Sequence, residues 1–261
     1  MSSMSIEQII KAAPGAGMRE PHPWMSSRFS HVATIDLVEC LMNEGYEVAR
    51  AQQSSSANPY GFHAITLRMP GRDLVVGDAV PELILTNAAD GSRAFRISLG
   101  MYRLVCCNGL VVGSTFASYD IDHKQDAPVR ALIAAEKAGA QLDTLSAWAE
   151  KMSNIQTTSE WRLNYAMRAA ALRWAGPNGT AEPVGVEDAT RILDARRVDD
   201  ADGSVWHTYN RVQENLIRGG TVSTIGRTGR RTLSKALTST AKEYELNTRL
   251  FDLTNRLAEA A

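Results

Sequence analysis

Little in this chain would name a reaction. Of 261 residues only three are cysteine, Cys40, Cys106 and Cys107. No CxxC pair occurs, which argues against a zinc site built on paired cysteines. Cys106 and Cys107 are adjacent, so on a strand they would face opposite sides. This odd, low count fits a reducing cytoplasm. The start, MSSMSIEQIIKAAPGAGMRE, lacks the basic stretch and long apolar core of a secretory leader. No apolar run reaches the roughly 18 residues of a membrane span. Gly109, Gly113 and Gly219-Gly220 match neither dinucleotide-binding nor P-loop spacing, and Gly226-Arg-Thr-Gly-Arg-Arg231 lacks the Lys-Ser/Thr end. Asp199, Asp200 and Asp202 lack the distal Glu of a calcium loop and read as an exposed acidic turn. No cofactor or metal is expected.

What the chain does have is a basic, glycine-punctuated tract from Arg211 to Lys242. It holds seven basic residues against one acid, Glu214, in a chain of net charge −1. The positive charge is collected in one place. Gly219, Gly220, Gly226 and Gly229 would let the backbone approach a partner. Arginines and lysines beside amides and hydroxyls are the groups that hold phosphates. The competing reading is a solvated loop between two helices.

Hydrophobic content of 44% supports a sizeable core. Residues 1–30, rich in Ser, Pro and Gly, read as an N-terminal arm carrying Trp24. A helix is expected over about His31–Gly45. Alternation then predicts strands from Tyr46 to about Tyr119, with Phe95, Ile97, Leu99 and Met101 inward and Arg96 and Ser98 outward. Asp90-Gly91 and Asn108-Gly109 are turn signals. The remainder reads as helical: Ala127–Ser153, Ser159–Ala175, Val186–Arg197, Ser204–Arg218 and about Ser239–Glu259. The fold class is therefore α+β: an antiparallel sheet in the N-terminal half covered by helices, then a helical C-terminal half. Residues 31–261 are expected to form a single domain. Trp24, Tyr60, Phe62, Tyr102 and Phe116 fall in or near the sheet region and suit either core packing or base stacking.

Several segments resemble the phage/plasmid-like proteins, domain of unknown function 932. They are Ser27-Arg-Phe-Ser30, Arg103-Leu-Val-Cys-Cys-Asn-Gly-Leu110, Tyr209-Asn-Arg-Val-Gln-Glu-Asn-Leu-Ile-Arg-Gly-Gly220, Thr228-Gly-Arg-Arg231 and Leu246-Asn-Thr-Arg-Leu-Phe-Asp-Leu253. The doubled cysteine and a less uniformly basic stretch after Gly220 depart from the family pattern. The resemblance implies a setting in mobile elements and their DNA metabolism. The order helix, antiparallel sheet, long helix also resembles the core of single-strand annealing recombinases, which form rings around a basic groove.

Three functions are weighed. In the first, the protein binds single-stranded DNA by its phosphate backbone, in the service of strand annealing. The contacts are Arg211, Arg218, Gly219, Gly220, Arg227, Arg230, Arg231 and Lys235, with Arg103 as an addition. The protein is then a homo-oligomer, a ring in the recombinase-like case, with no membrane contact. In the second, it is a non-enzymatic interaction protein that blocks a host defence complex, with a host protein as partner. In the third, Cys107 and His123 make a nucleophile, although no motif identifies an orienting acid. The first is preferred and no catalytic residue is assigned.

Overall fold

Alternating apolar residues between Glu47 and Ile121 build an antiparallel sheet of six strands. The computed structural model describes residues 3–54, 58–71, 79–103, 108–111, 118–174, 184–225 and 231–259. Contacts divide the chain into two units, Met1–Ser146 and Ala147–Ala261.

In the first unit the strands are β1 (Glu47–Gln53), β2 (His63–Arg68), β3 (Ala79–Asn87), β4 (Phe95–Arg103), β5 (Asn108–Val111) and β6 (Ser118–Ile121). They run β1-β2-β3-β4-β5, and β6 also pairs with β4. The last two strands share one edge of β4: β5 takes Gly100–Arg103, and β6 takes Phe95–Ser98. Phe95, Ile97, Leu99 and Met101 are fully buried, as their alternation predicts. Ser98 was expected outward, yet it is 1% exposed. It is a small residue flanked by Ile84 of β3 and Ser118 of β6. Asp90-Gly91 turns, with Gly91 at φ +69°. Asn108-Gly109 does not turn; the pair lies in β5 opposite Arg103 and Tyr102.

Helices close this unit. The stretch read as an arm contains α1 (Ile6–Ala12), which Ser5 and Gln8 start with a reciprocal capping box. Ile9 is fully buried, and the Met4 amide donates to the Val48 carbonyl of β1 (2.9 Å). A 3₁₀ turn, Pro14–Gly17, follows, and a Cβ on Gly15 would lie 2.8 Å from His63 Nδ1. Helix α2 (Thr34–Asn43) buries Ile35, Leu37, Val38 and Leu41, and Gly45 at φ +95° ends it. Helix α3 (Ala127–Gly139) packs on β4 and β6 with Ala127, Ala131, Ala134, Ala135 and Ala138 buried. Small residues allow that close approach.

Two of the most buried polar groups in this unit, His63 and Glu82, are partnered. His63 takes Thr34 Oγ1 at 2.9 Å, and burial holds its imidazole down at about 4, hence neutral. Glu82, 2% exposed, receives Arg68 at 2.6 Å. Burial pushes the Glu82 carboxyl up while Arg68 opposes that shift.

The single helix expected over Ala127–Ser153 is two. Helix α4 (Leu142–Asn154) begins after a break at Ala140-Gln141, where the Gln141 carbonyl accepts from Thr144 Oγ1 (2.6 Å). It runs on into the second unit, whose other helices are α5 (Ser159–Trp174), α6 (Val186–Ile192), α7 (Val205–Arg218) and α8 (Thr240–Ala258). Helix α6 stops five residues short of the expected Arg197. Tyr165, Trp206, Tyr209 and Phe251 are buried, each contributing roughly 2–3 kcal/mol. Trp148 stacks on Phe251 with centroids 4.5 Å apart and donates to Asn255 at 2.7 Å. A short hairpin, β7 (Ser223–Ile225) with β8 (Arg231–Leu233), stands between α7 and α8 where only a loop was expected. Among the described residues no helix is long and apolar enough to cross a membrane.

Candidate nucleic-acid interface

The basic tract begins on α7 and continues into the hairpin. Helix α7 starts at Ser204, whose hydroxyl accepts from the His207 amide, and ends at Gly219. Its last turn leaves carbonyls without helical partners. Two arginines from elsewhere in the chain fill two of them, at Leu216 and Gly219. From the last turn of α5, Arg173 donates through Nε to the Leu216 carbonyl (3.2 Å) and through Nη2 to the Lys235 carbonyl (3.3 Å). Arg196, beyond α6, donates to Asn215 Oδ1 (2.5 Å) and to the Gly219 carbonyl (2.9 Å). Arg197 pairs with Glu214 at 2.9 Å. Arg218, on α7 itself, meets the same carboxylate at 3.2 Å. Both recorded ion pairs of this group go to Glu214, which is 2% exposed. Lys235 adds a fifth cation, exposed just after the hairpin.

Four arginines therefore meet at one helix end beside Lys235, and two of them share one buried carboxylate. A helix C-terminus carries partial negative charge and favours cations. That explains part of the cluster as structure. The charge it collects exceeds what Glu214 neutralises. Arg196, Arg218 and Lys235 are exposed, and Nη1 of Arg173 and of Arg196 has no hydrogen bond among the described residues. Burial lowers the Arg173 pKa without removing its charge.

The expected contact residues fall in different places. Arg218, Gly219, Gly220 and Lys235 come together at this end of α7. Gly219 sits at φ +68°, and a Cβ on it would lie 2.5 Å from the Ser234 carbonyl and 2.6 Å from the Lys235 carbonyl carbon. The close approach is made by the protein's own backbone. Gly220 sits at φ +82° with open space around it, and its amide donates to Ser234 (2.7 Å). Arg211 lies in the middle of α7, and its guanidinium reaches back to the segment before the helix. It donates to the Asp202 carbonyl (3.2 Å) and to Thr208 (3.2 Å). Burial and Arg162 lower its pKa against the pull of Asp200 and Asp202.

Arg231 begins β8 opposite Ile225, and Arg103 ends β4 opposite Asn108 in the first unit. Only their backbones are described. Arg227, Arg230 and Cys107 lie outside the described residues. His123 is held by Ser30, whose carbonyl faces Nδ1 at 3.3 Å, and burial lowers its pKa. The acidic turn is only partly exposed: Asp202 is on the surface and Asp200 is 1% exposed. Among the described residues no group of three or more His, Cys, Asp or Glu side chains could hold a metal.

Sequence reasoning missed Arg173, Arg196 and Arg197. They lie far from the tract in sequence, so no local spacing joins them. Their one signal is position, in the last turn of a helix or just beyond one, where arginine caps carbonyls.

This chain has one family assignment. The model for the domain of unknown function (DUF932) matches residues 21–249, and the chain belongs to that family. Among curated proteins it is similar to UPF0380 protein YfjQ of Escherichia coli K12, 29% identical over 255 residues, covering 96% of this chain and 90% of the relative. UPF0380 protein YafZ of the same strain is 28% identical over the same spans. No solved structure matches the chain.

Proposed function

We propose that the C-terminal end of α7, with the β7–β8 hairpin above it, holds the phosphate backbone of single-stranded DNA. The protein then belongs to phage- or plasmid-type DNA metabolism and works in strand annealing. The observation that carries this reading is the gathering of Arg173, Arg196, Arg197 and Arg218 at this helix end beside Lys235, with the single carboxylate of Glu214 shared by two of them. Guanidinium groups already oriented by one hydrogen bond lose less freedom when they meet a phosphate. Arg231 is placed by β8 next to the same tract in sequence. The order α2, sheet, α3 in the first unit keeps the helix–sheet–helix order of the annealing reading, with a 13-residue α3 in place of the long helix.

The chain's net charge of −1 sets a condition. One copy offers a small basic surface, so useful affinity comes from several copies on one strand. A homo-oligomer in the cytoplasm meets that condition. Val129, Leu132 and Ile133 on α3 are 58, 49 and 46% exposed and supply apolar surface for such contacts.

The test is a salt titration of binding to labelled single-stranded and double-stranded DNA, with size by light scattering in the same samples. Tight, salt-sensitive binding to single strands by an oligomer is expected. Absence of binding at low salt, with capture of a host protein that survives nuclease treatment, would replace this reading. The same cations would then meet an acidic protein surface.

A further inference from the structure

The first unit carries an aromatic surface that its packing does not require. Trp24 is 69% exposed, the most exposed of the large aromatic side chains among the described residues. Its backbone is nonetheless held. The Trp24 amide donates to His22 Nδ1 (3.3 Å), the His22 amide to the Ala89 carbonyl (3.0 Å), and the Met25 amide to the His22 carbonyl (2.8 Å). The indole lies over the His22 ring with centroids 3.7 Å apart and planes 31° apart. Tyr60 meets the other ring of this stack edge-on at 4.6 Å from His22. Tyr60 is itself fixed, since its carbonyl accepts from the Asp90 amide (3.1 Å).

Residues 22–29 and the turn after β3 flank this surface, and Tyr60 comes from the connection before β2. The two flanking segments are locked together: a Cβ on Gly91 would lie 2.8 Å from Met25 Sδ and 3.4 Å from Phe29. Each segment contributes an exposed arginine, Arg28 and Arg93, and neither has an ion-pair partner among the described residues. Arg93 rides over Phe62 at 5.4 Å, a cation–π contact that leaves its charge available. The acid nearby, Asp90, is taken up by Asn58 (3.1 Å) and by the Ser92 amide (3.0 Å).

A fixed, solvent-facing indole backed by a second ring offers a flat π surface with little entropy left to lose. Flanking arginines favour a ligand that is flat, unstacked and negatively charged beside its ring. Those are the properties of a base in a single strand. We propose that His22, Trp24 and Tyr60 form a base-stacking platform for single-stranded nucleic acid. This rests on the nucleic-acid reading above and adds a non-ionic contact that the phosphate cluster cannot make. It also gives a reason for single-strand preference, because duplex bases are already stacked on one another.

The experiment uses the full chain, an oligo(dT) and an abasic oligonucleotide of equal length, with light scattering throughout. Trp24→Ala is expected to weaken oligo(dT) binding about tenfold, with the salt slope unchanged and Trp24→Phe recovering part of the loss. Wild type is expected to bind the abasic strand about as weakly as Trp24→Ala binds oligo(dT). The platform is overturned if wild type binds both strands equally, or if Trp24→Ala binds oligo(dT) as wild type does while the salt slope persists. A smaller assembly for Trp24→Ala would assign the surface to a contact between copies and also overturn it. If wild type binds neither strand, the phosphate reading and the platform fail together.

Discussion

The two halves of α7 carry arginines of opposite use. From mid-helix, Arg211 reaches back onto the acidic turn before the helix, and Asp202 also meets His207 at 3.3 Å. At its end, Arg218 shares Glu214 with Arg197, while Arg173, Arg196 and Lys235 join it. Seven residues separate Arg211 from Arg218, about 10 Å along the axis. Acids gather at the positive end of the helix and cations at the negative end, as the macrodipole favours. The first end is balanced and the second is in surplus. A run of basic residues in the sequence is therefore not one surface, and the proposed phosphate contacts belong to its later part.

Breaking the geometry of the basic end should have the largest effect. Gly219→Ala is expected to destabilise the protein by about 3 kcal/mol, because its Cβ meets backbone and its φ is positive. Urea denaturation measures this, and a loss below about 1 kcal/mol would show that the hairpin base can shift. Removing the shared carboxylate comes next. Glu214→Gln should cost about 2 kcal/mol, since it removes the buried carboxylate that Arg197 and Arg218 share. The same variant should bind single-stranded DNA at least as tightly as wild type, because the neutralising charge is gone. Weaker binding by a folded Glu214→Gln would contradict the surplus-charge account. Gly220→Ala, with open space around its Cβ, should cost only about 1 kcal/mol for its positive φ. Equal costs at the two glycines would erase the distinction between a packed position and an open one.

Much of this contrast was hidden in the sequence, although the fold class was legible. Strict alternation over Phe95–Met101 and the stripe Trp206, Tyr209, Val212, Leu216, Ile217 identify strand and helix because each repeats long enough to show a period. The β7–β8 strands have three residues each, too few to show one. Helix α1 is seven residues long inside a Ser-, Pro- and Gly-rich stretch, so composition outweighed its capping box. The break at Ala140-Gln141 has no proline, and its one signal is Gly139, a residue that helix interiors also tolerate. In the site, the tract announced itself by charge, but charge density does not say which cations are neutralised. Asp200 and Asp202 were visible as an acidic turn, yet nothing in the spacing joined them to Arg211. Three of the five clustered cations come from α5 and the segment after α6, so only the fold brings them in.

The most direct test compares salt slopes of single-stranded DNA binding for wild type, Arg211→Ala, and Arg218→Gln combined with Lys235→Ala. Each phosphate contact on a single strand contributes about 0.7 to the slope of log affinity against log salt. The double variant is expected to lose about 1.4 from that slope, and Arg211→Ala none. A slope reduced by Arg211→Ala and untouched by the double variant would place the contact in the wrong half of α7 and contradict the account.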